Sequence, residues 1–300
     1  MFKRVAIIGL GLMGGSLGLA IKQKALAQVV AGFARRAETR ELALELEIVD
    51  QVFERPEDAV QDADLAVFCT SVSSIPELIG VCHTRLAADG VMTDVGSCKA
   101  EIVRRVESLF SRGPVPFIGS HPIAGSERQG IEAATATLYQ NALVALTPTR
   151  RTVPAARDQV VRLWQGIGAR VQSLSPQSHD HLLAKTSHVP HLVAALLAAC
   201  VGRIQPGRVG PFCGAGFFDT TRIAEGDPQL WRDIIRANQL AIHNELKAFS
   251  READHLLNIL SCLGRSATGG KSGDLEMLDK FLQTSRERRR ALTRGQGTAS

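Results

Sequence analysis

The sequence predicts an α/β fold in which a mostly parallel sheet is followed by an all-α region. The first half of the 300 residues alternates short β-like runs with helical stretches, which is typical of parallel strands joined by right-handed crossovers. After Ser175 the strand-like runs stop, and an apolar period of three to four residues indicates helices. We therefore expect two domains, 1–175 and 176–300.

The predicted strands are short and apolar, and they cover 4–10, 29–34, 65–69, 91–95, 116–120, 142–147 and 169–174. The predicted helices of the first domain cover 15–24, 38–46, 98–110 and 153–166. In the second domain we predict helices over 181–201, 228–250, 254–263 and 275–290, with a Gly- and Ser-rich linker at 264–273.

The composition is that of a globular protein, with 45% hydrophobic and 22% charged residues, and it excludes a wholly disordered or fibrous chain. Much of the net charge of +5 comes from the arginines of 281–300. Because no aromatic-rich basic stripe accompanies them, we predict no nucleic-acid partner. The longest purely apolar stretch of the second half, 192–201, is shorter than a bilayer-spanning helix, so we also predict no membrane association.

Cysteine usage favours the cytoplasm. The six cysteines contain no C-x-x-C pair, which is typical of reduced thiols in a cytosolic protein of this size. The N-terminus offers an alternative, because two basic residues, the apolar run 5–21 and Ala25-Leu26-Ala27 imitate a signal peptide. Five glycines within that run are unfavourable for a continuous apolar helix, and a cofactor loop explains them.

That loop is a G-x-G-x-x-G motif at the end of the first predicted strand. Gly9 permits a tight turn, Gly11 lets a pyrophosphate approach the backbone, and Gly14 lets the helix pack close to the strand. Leu12 and Met13 belong to the same cofactor loop, and the helix N-terminus attracts negative charge. The sequence therefore predicts a Rossmann-type dinucleotide-binding domain.

The residues after the second predicted strand favour NADP over NAD. An acid at this point would hold the ribose 2′-hydroxyl of NAD, but the chain has Arg35 and Arg36. A guanidinium pairs well with a 2′-phosphate, although both arginines could simply be solvated, and NAD stays open. Thr70, directly after the third predicted strand, is also assigned to the cofactor site.

Two polar segments follow the fourth and fifth predicted strands, at 94–99 and 120–127. Because ligands bind at the carboxyl ends of parallel strands, both segments are expected to face the nicotinamide. His121 is the best acid–base candidate, since a histidine near pH 7 can take a proton from a hydroxyl while hydride leaves the same carbon. The alternative is an ordinary loop histidine.

Two further features suggest other chemistry. His188 and His191 could hold a metal, but they lack the H-E-x-x-H form, Pro190 lies between them, and no third ligand is evident. We predict substrate contact or helix capping there, and no metal. Cys98 beside Lys99 could be a nucleophile, but a buried spectator thiol is favoured.

At these residues the chain resembles the prephenate/arogenate (cyclohexadienyl) dehydrogenase family of tyrosine biosynthesis. The resemblance runs from Val5 to about Leu282 and rests on the motifs GLGLMGGS, TDVGSCK, GSHPIAGSE, KTSHVPH and DTTRIAEGDPQLWRDI. It implies oxidative decarboxylation of prephenate to 4-hydroxyphenylpyruvate, of arogenate to tyrosine, or both, with hydride transfer to NAD(P). It also implies a helical C-terminal domain that builds a homodimer.

The resemblance further implies roles for individual residues. His121 matches the base that removes the proton of the ring 4-hydroxyl, and Ser97 matches the serine that hydrogen-bonds that hydroxyl. Arg222 matches the arginine that binds a substrate carboxylate. The remaining substrate-binding residues that it implies are Ser126, His188 and His191. Phe218 departs from the pattern, because many relatives have Lys or Arg before the aspartate.

Several alternatives stay open on the sequence. Glu132 could face the ammonium group of arogenate, or it could be an exposed helix carboxylate. A related two-domain 3-hydroxyacid dehydrogenase or imine reductase is the second enzyme class. A dinucleotide-sensing protein without catalysis is the third possibility.

Overall fold

The computed structural model describes residues 1–110, 113–125, 128–265 and 272–294. Within them, the sheet has the strand order β3-β2-β1-β4-β5-β6-β7-β8. The strands are β1 Phe2–Ile8, β2 Ala27–Phe33, β3 Gln51–Phe53, β4 Leu65–Phe68, β5 Val91–Asp94, β6 Phe117–Ile123, β7 Leu143–Thr147 and β8 Arg170–Ser173. Neighbouring strands are parallel except β6 and β7. The predicted α/β fold with a mostly parallel sheet is confirmed.

The helices among the strands are α1 Leu12–Gln23, α2 Ala37–Glu45, α3 Pro56–Ala59, α4 Ile75–Cys82, α5 Ala100–Leu109 and α6 Pro154–Gly166. After the last strand come α7 Pro176–Leu183, α8 Val189–Gly202, α9 Pro206–Val209, α10 Ala215–Thr221, α11 Pro228–Ala237, α12 Gln239–Arg265 and α13 Ser272–Arg294. A short 3₁₀ turn, Arg222–Glu225, separates α10 from α11. The predicted change from strands to helices is also confirmed.

Helices cover both faces of the sheet, and the residues of β1 show why. Val5 and Ile7 join one apolar cluster, to which α1 and α6 contribute. Ala6 and Ile8 point the other way and join a second cluster with residues of α4 and α5. Successive strand residues alternate between faces, so a continuous apolar run fits a strand that is buried on both sides.

The sequence prediction missed β3 and α4, and it ended β6 too early. β3 is a three-residue strand that pairs with β2 at the sheet edge, which is too short for an alternating pattern to be recognised. The prediction that His121 lies in a loop after a strand is wrong. β6 continues to Ile123 because its second half pairs antiparallel with β7, and His121 lies opposite Ala145.

The helical segment from α7 to α8 is continuous but not regular. A π-helical turn, Ala184–His188, joins the two helices. Pro190 follows it, and in a regular helix the proline ring would clash with the carbonyl group of Thr186. A wider turn accommodates such a proline, and turns of this kind are frequent at functional sites.

One helical segment among the described residues, Pro176–Gly202, is long and apolar enough to cross a membrane by length and composition alone. Four of its polar side chains, those of His179, Asp180, His188 and His191, are buried. Two of them contact β6 and the N-terminus of α5. These contacts attach the first part of the segment to the sheet.

The region predicted as one helix over 228–250 consists of two helices. α11 ends at Ala237 and α12 begins at Gln239, with the buried Asn238 between them. The chain packs as two compact units, 1–242 and 243–300, and the predicted domain boundary after 175 stays a prediction. Residues 266–271 of the predicted linker lie outside the described residues.

Candidate active site

The glycine motif forms a tight turn between β1 and α1. Gly9 has a φ of +107°, and a Cβ atom there would lie 2.7 Å from the carbonyl oxygen of Cys69. A Cβ atom at Gly14 would lie 1.9 Å from the carbonyl oxygen of Gly9. At Gly11, by contrast, no atom of the described chain lies within 4 Å of that position. The first and third glycines serve packing, and the second leaves space beside the backbone.

This space lies at the N-terminus of α1, where backbone N–H groups are available to an anion. No side chain among the described residues caps this helix, and its first turn contains no acid. The helix is held in place from outside, since the hydroxyl of Tyr139 donates to the carbonyl oxygen of Met13 at 2.7 Å. Free N–H groups and open space over Gly11 fit the pyrophosphate of a dinucleotide.

Arg35 and Arg36 lie next to this turn, and both are exposed. The backbone N–H of Gly9 donates to the carbonyl oxygen of Phe33, the last residue of β2, at 2.9 Å. Arg40 shapes the following loop by donating to the carbonyl oxygen of Arg35 at 3.0 Å. Two guanidinium groups without a hydrogen-bond partner in the described part of the chain therefore follow the second strand next to the cofactor turn.

Thr70 lies against the same turn, directly after β4. Its methyl carbon would be 2.8 Å from a Cβ atom at Gly9, and its hydroxyl accepts a hydrogen bond from Ser74 at 3.0 Å. The position predicted from sequence is therefore in contact with the glycine motif.

A fully buried ion pair lies between β5 and β6. The ammonium of Lys99 contacts the carboxylate of Asp94 and donates to the carbonyl oxygen of Ser120 at 2.9 Å. Asp94 also accepts the backbone N–H groups of Gly96 at 2.9 Å and of Ser120 at 3.1 Å. These bonds fix the backbone of β6 immediately before His121.

His121 is buried and joins a chain of polar side chains that leads to α7. Its Nδ1 lies 2.9 Å from Nε2 of His179, and Nδ1 of His179 lies 2.8 Å from Oδ1 of Asp180. Burial lowers the pKa of His121 well below its usual value, and the neighbouring His179, Lys99 and His188 lower it further. The imidazole is therefore neutral at pH 7, which is the form that a general base requires.

His188 lies beside this chain. Its Nδ1 is 3.1 Å from the side-chain nitrogen of Asn238, and that nitrogen also donates to the carbonyl oxygen of Asp180 at 2.7 Å. Because a carbonyl oxygen only accepts, Asn238 donates to both partners, and His188 must carry its proton on Nε2. This Nε2 is buried without a partner in the described part of the chain. Burial lowers the pKa of His188 to about 4.

His191 stacks on Trp231, with ring centroids 3.5 Å apart and an angle of 11° between the planes. Trp231 also meets the ring of His188 edge to face at 6.1 Å. Nδ1 of His191 is a second buried nitrogen without a partner among the described residues. Unpaired buried polar atoms are costly, so these two nitrogens make this region a candidate site for a polar ligand.

The other residues predicted from sequence differ in how they are placed. Ser97 is half-buried between β5 and α5. Arg222 is exposed at the start of the 3₁₀ turn after α10, and its guanidinium has no hydrogen bond or ion pair within the described residues. Glu132 is exposed as well. Ser126 lies outside the described residues.

Neither a nucleophilic Cys98 nor a metal site at His188 and His191 gains support from the described residues. Cys98 is buried, its Sγ lies 3.6 Å from the carbonyl oxygen of Ile234, and burial raises the pKa of its thiol. A thiol of this kind is a poor nucleophile. The described residues contain no group of three or more metal-ligating side chains.

The sequence did not predict the residues that surround His121, His188 and His191. They are Lys99 as a structural cation, His179, Asp180, Asn238 and Trp231. His179 and Asp180 stand side by side and begin five positions after the last predicted strand, and this pair was the available signal. Nothing in the sequence indicated that Asn238 interrupts a helix.

A dinucleotide cradle after β1 and a buried, neutral histidine on β6 of the same sheet are features of an NAD(P)-dependent dehydrogenase. The chain matches the nucleotide-binding domain of prephenate dehydrogenase over residues 17–173 and the dimerization domain of prephenate dehydrogenase over 175–284. The protein belongs to the prephenate dehydrogenase family of oxidoreductases, and the predicted family and enzyme class are confirmed.

Individual relatives agree along nearly the whole chain. The protein is 32% identical to the cyclohexadienyl dehydrogenase of Zymomonas mobilis, with 96% of both chains covered. It is 31% identical to the prephenate dehydrogenase of Bacillus subtilis, with 96% of this chain and 76% of the relative covered. The crystal structure of Aquifex aeolicus prephenate dehydrogenase with hydroxyphenyl propionate and NAD⁺ has a TM-score of 0.86 and 29% identity, covering 97% and 99% of the two chains. Synechocystis arogenate dehydrogenase follows with a TM-score of 0.78 and 28% identity, covering 95% and 99%.

Proposed function

We propose that this dehydrogenase accepts both prephenate and arogenate, and that His121 removes the proton of the ring hydroxyl. The observation that carries the role of His121 is its buried imidazole, whose Nδ1 is engaged by His179 at 2.9 Å. Nε2 is then the nitrogen left for a substrate. Prephenate and arogenate differ only in a keto or amino group on the side chain, which the proposed chemistry does not touch.

The reaction requires few groups from the protein. The substrate is a cyclohexadienol with a ring carboxylate, and NAD(P)⁺ is the hydride acceptor when bound. The base takes the hydroxyl proton as hydride leaves C4. Loss of CO₂ from C1 then makes the ring aromatic, and this step makes the overall reaction irreversible. The protein supplies a base, an orienting hydroxyl and a cationic anchor.

Residues of the candidate site fit these tasks. Ser97, in the loop after β5, would hydrogen-bond the ring hydroxyl and orient it. Arg222 would pair with a carboxylate, because its guanidinium has no partner of its own within the described residues. His188 would donate from its buried Nε2–H to a substrate oxygen and so satisfy an otherwise unpaired group.

The test of this function is a turnover assay at 340 nm with prephenate and with arogenate. We expect His121→Asn to lower kcat about 10²–10⁴-fold with KM little changed, which is the usual contribution of a general base. The pKa of His121 is lowered from 6.5, so the acidic limb of the wild-type kcat profile should lie below pH 6.5 and should disappear in the variant.

Near-normal kcat in His121→Asn would refute the role of the base. Activity with only one of the two substrates would refute the dual specificity. His83→Asn is the matched control, because this histidine is bonded to carbonyl groups of its own helix, at Ile79 and Gly80. It should leave kcat unchanged.

For the cofactor, we propose a preference for NADP over NAD. Arg35 and Arg36 support it, because both are exposed beside the glycine turn and no acid stands at the end of β2. Replacing both by alanine should cost about 1.5–3 kcal/mol, selectively with NADP. The measurement is the NADP/NAD ratio of kcat/KM, with Arg157→Ala as an exposed control on α6. An unchanged ratio in the double variant would contradict the proposal.

We also propose that the protein is a homodimer of the cytoplasm. A dimerization domain and large apolar side chains left exposed in the protomer, such as Phe212 at 86% and Phe218 at 58%, support the dimer. Light scattering should give about twice the chain mass of 32.3 kDa. Within the described residues none of the six cysteines forms a disulfide, which is consistent with a reducing compartment.

A further inference from the structure

The pair His179–Asp180 is not needed to hold a substrate, yet it is almost completely buried against the proposed base. His179 is 0% and Asp180 4% exposed, and His121 is 9% exposed. Three polar side chains in a row, without water between them, require that every hydrogen bond has one donor and one acceptor. These requirements fix the direction of each bond.

The carboxylate of Asp180 is the fixed end of this row. Its two oxygens accept the backbone N–H groups of Lys99 at 2.7 Å and Ala100 at 2.9 Å, at the N-terminus of α5. Its own carbonyl oxygen accepts from Asn238 at 2.7 Å. The carboxylate can neither rotate nor donate, so its bond to His179 must be donated by Nδ1–H of His179.

A neutral imidazole carries one proton, so Nε2 of His179 is a lone pair. This lone pair lies 2.9 Å from Nδ1 of His121, which must then be the protonated nitrogen. The consequence is that Nε2 of His121 is left as the only basic nitrogen of the ring. The same row lets the positive charge that arises on His121 face a hydrogen-bond acceptor backed by a carboxylate.

We propose that His179, held by Asp180, is a positioning residue that fixes the tautomer of His121 and aims its Nε2 lone pair at the substrate hydroxyl. This inference rests on the proposed role of His121 as the base. It gives His179, a buried side chain at the start of the helical region, a role in positioning the base.

Two conservative substitutions separate this role from packing. In His179→Gln the amide oxygen can occupy the place of Nε2 and accept from His121. In His179→Asn the shorter amide can replace Nδ1 and keep the bond to Asp180, but it cannot reach His121. We expect Asn to lower kcat about 10–100-fold with KM unchanged, and Gln to stay within about fivefold of the wild type.

The decisive readout does not involve turnover. In the free enzyme with ¹⁵N-labelled histidine at pH 7.5, NMR should show His121 protonated on Nδ1 and not on Nε2. His179→Gln should keep this tautomer, and His179→Asn should produce a mixture. His83→Asn identifies one unrelated resonance and should change neither ring.

The possible outcomes are distinct. A proton on Nε2 of His121, or two protons on His179, in the wild type would overturn the proposal whatever the activity. Equal kcat in the Gln and Asn variants, with both folded by thermal melting, would overturn it as well. Retained turnover in His121→Asn would instead remove the proposed base, and the tautomer measurement would be unaffected.

Discussion

Replacing Gly14 by alanine and replacing Gly11 by alanine should have opposite consequences, although the two residues lie three positions apart. The new Cβ at Gly14 would lie 1.9 Å from the carbonyl oxygen of Gly9 and 3.0 Å from its carbonyl carbon. Both atoms are backbone, so β1 and α1 must separate. Overpacking typically costs about 1–3 kcal/mol, and we expect about 3 kcal/mol here. In a unit of this size that lowers Tm by roughly 6–12 °C.

Gly11 has a φ of −89° and a ψ of −157°, which alanine adopts without strain, and its Cβ would meet no atom within 4 Å. We expect unfolding free energy within about 0.5 kcal/mol of the wild type. The methyl group would instead occupy the space assigned to the pyrophosphate, so Kd for NADPH should rise at least tenfold. Thermal melting without cofactor and fluorescence titration with NADPH measure the two effects.

Wild-type melting of Gly14→Ala would show that the helix does not depend on this close approach. Wild-type NADPH affinity in Gly11→Ala would show that the pyrophosphate lies elsewhere. The two variants are each other's control, because each changes one hydrogen to a methyl group on the same loop.

Arg222→Ala should raise KM about tenfold with kcat less affected, since the anchor binds the ground state; a wild-type KM would remove Arg222 from the site. Lys99→Met should lower the unfolding free energy in urea by about 3–5 kcal/mol at pH 7, because Asp94 stays buried and unpaired; the exposed Lys24→Met is the control, and equal losses in both would contradict the argument. Acid should destabilise the protein through His188, whose pKa is lowered from 6.5 to about 4 in the fold. Between these two pH values only the unfolded chain binds the proton, so the free energy of unfolding falls as pH drops, by about 3 kcal/mol at pH 4. In a series of urea melts at different pH, His188→Gln should flatten this part of the stability curve. An unchanged slope in the variant would contradict this role of His188.

The sequence predicts well those parts of the protein that depend on local pattern. The glycine motif combines a required spacing with a strand before it and a helix after it, so Gly9, Gly11 and Gly14 could be assigned individual tasks. His121 could be singled out by its place near a strand end. Its exact setting could not, because the antiparallel pairing with β7 comes from residues more than twenty positions away.

The polar support of the site escaped prediction for a related reason. His179, Asp180 and Asn238 have meaning only through partners that are 58 residues apart in sequence. Hydrogen-bond chains of this kind have no fixed spacing, whereas amphipathic helices and phosphate loops do. Asn238 in particular interrupts an apolar period that by itself favours one long helix.

The π-helical turn in Pro176–Gly202 changes the direction in which the side chains after it point. His179 and His188 are nine positions apart, and at about 100° per residue a regular helix would place them on opposite sides. The one extra residue of the turn removes about 100° from that angle, so both rings face the same side, where Asn238 bridges Asp180 and His188. The π-helical turn thus rotates the side chains of α8 relative to those of α7. If 184–188 formed a regular helix without loss of a residue, the donor histidine would turn away from the site, whereas removing one residue from this turn would keep it on the same side.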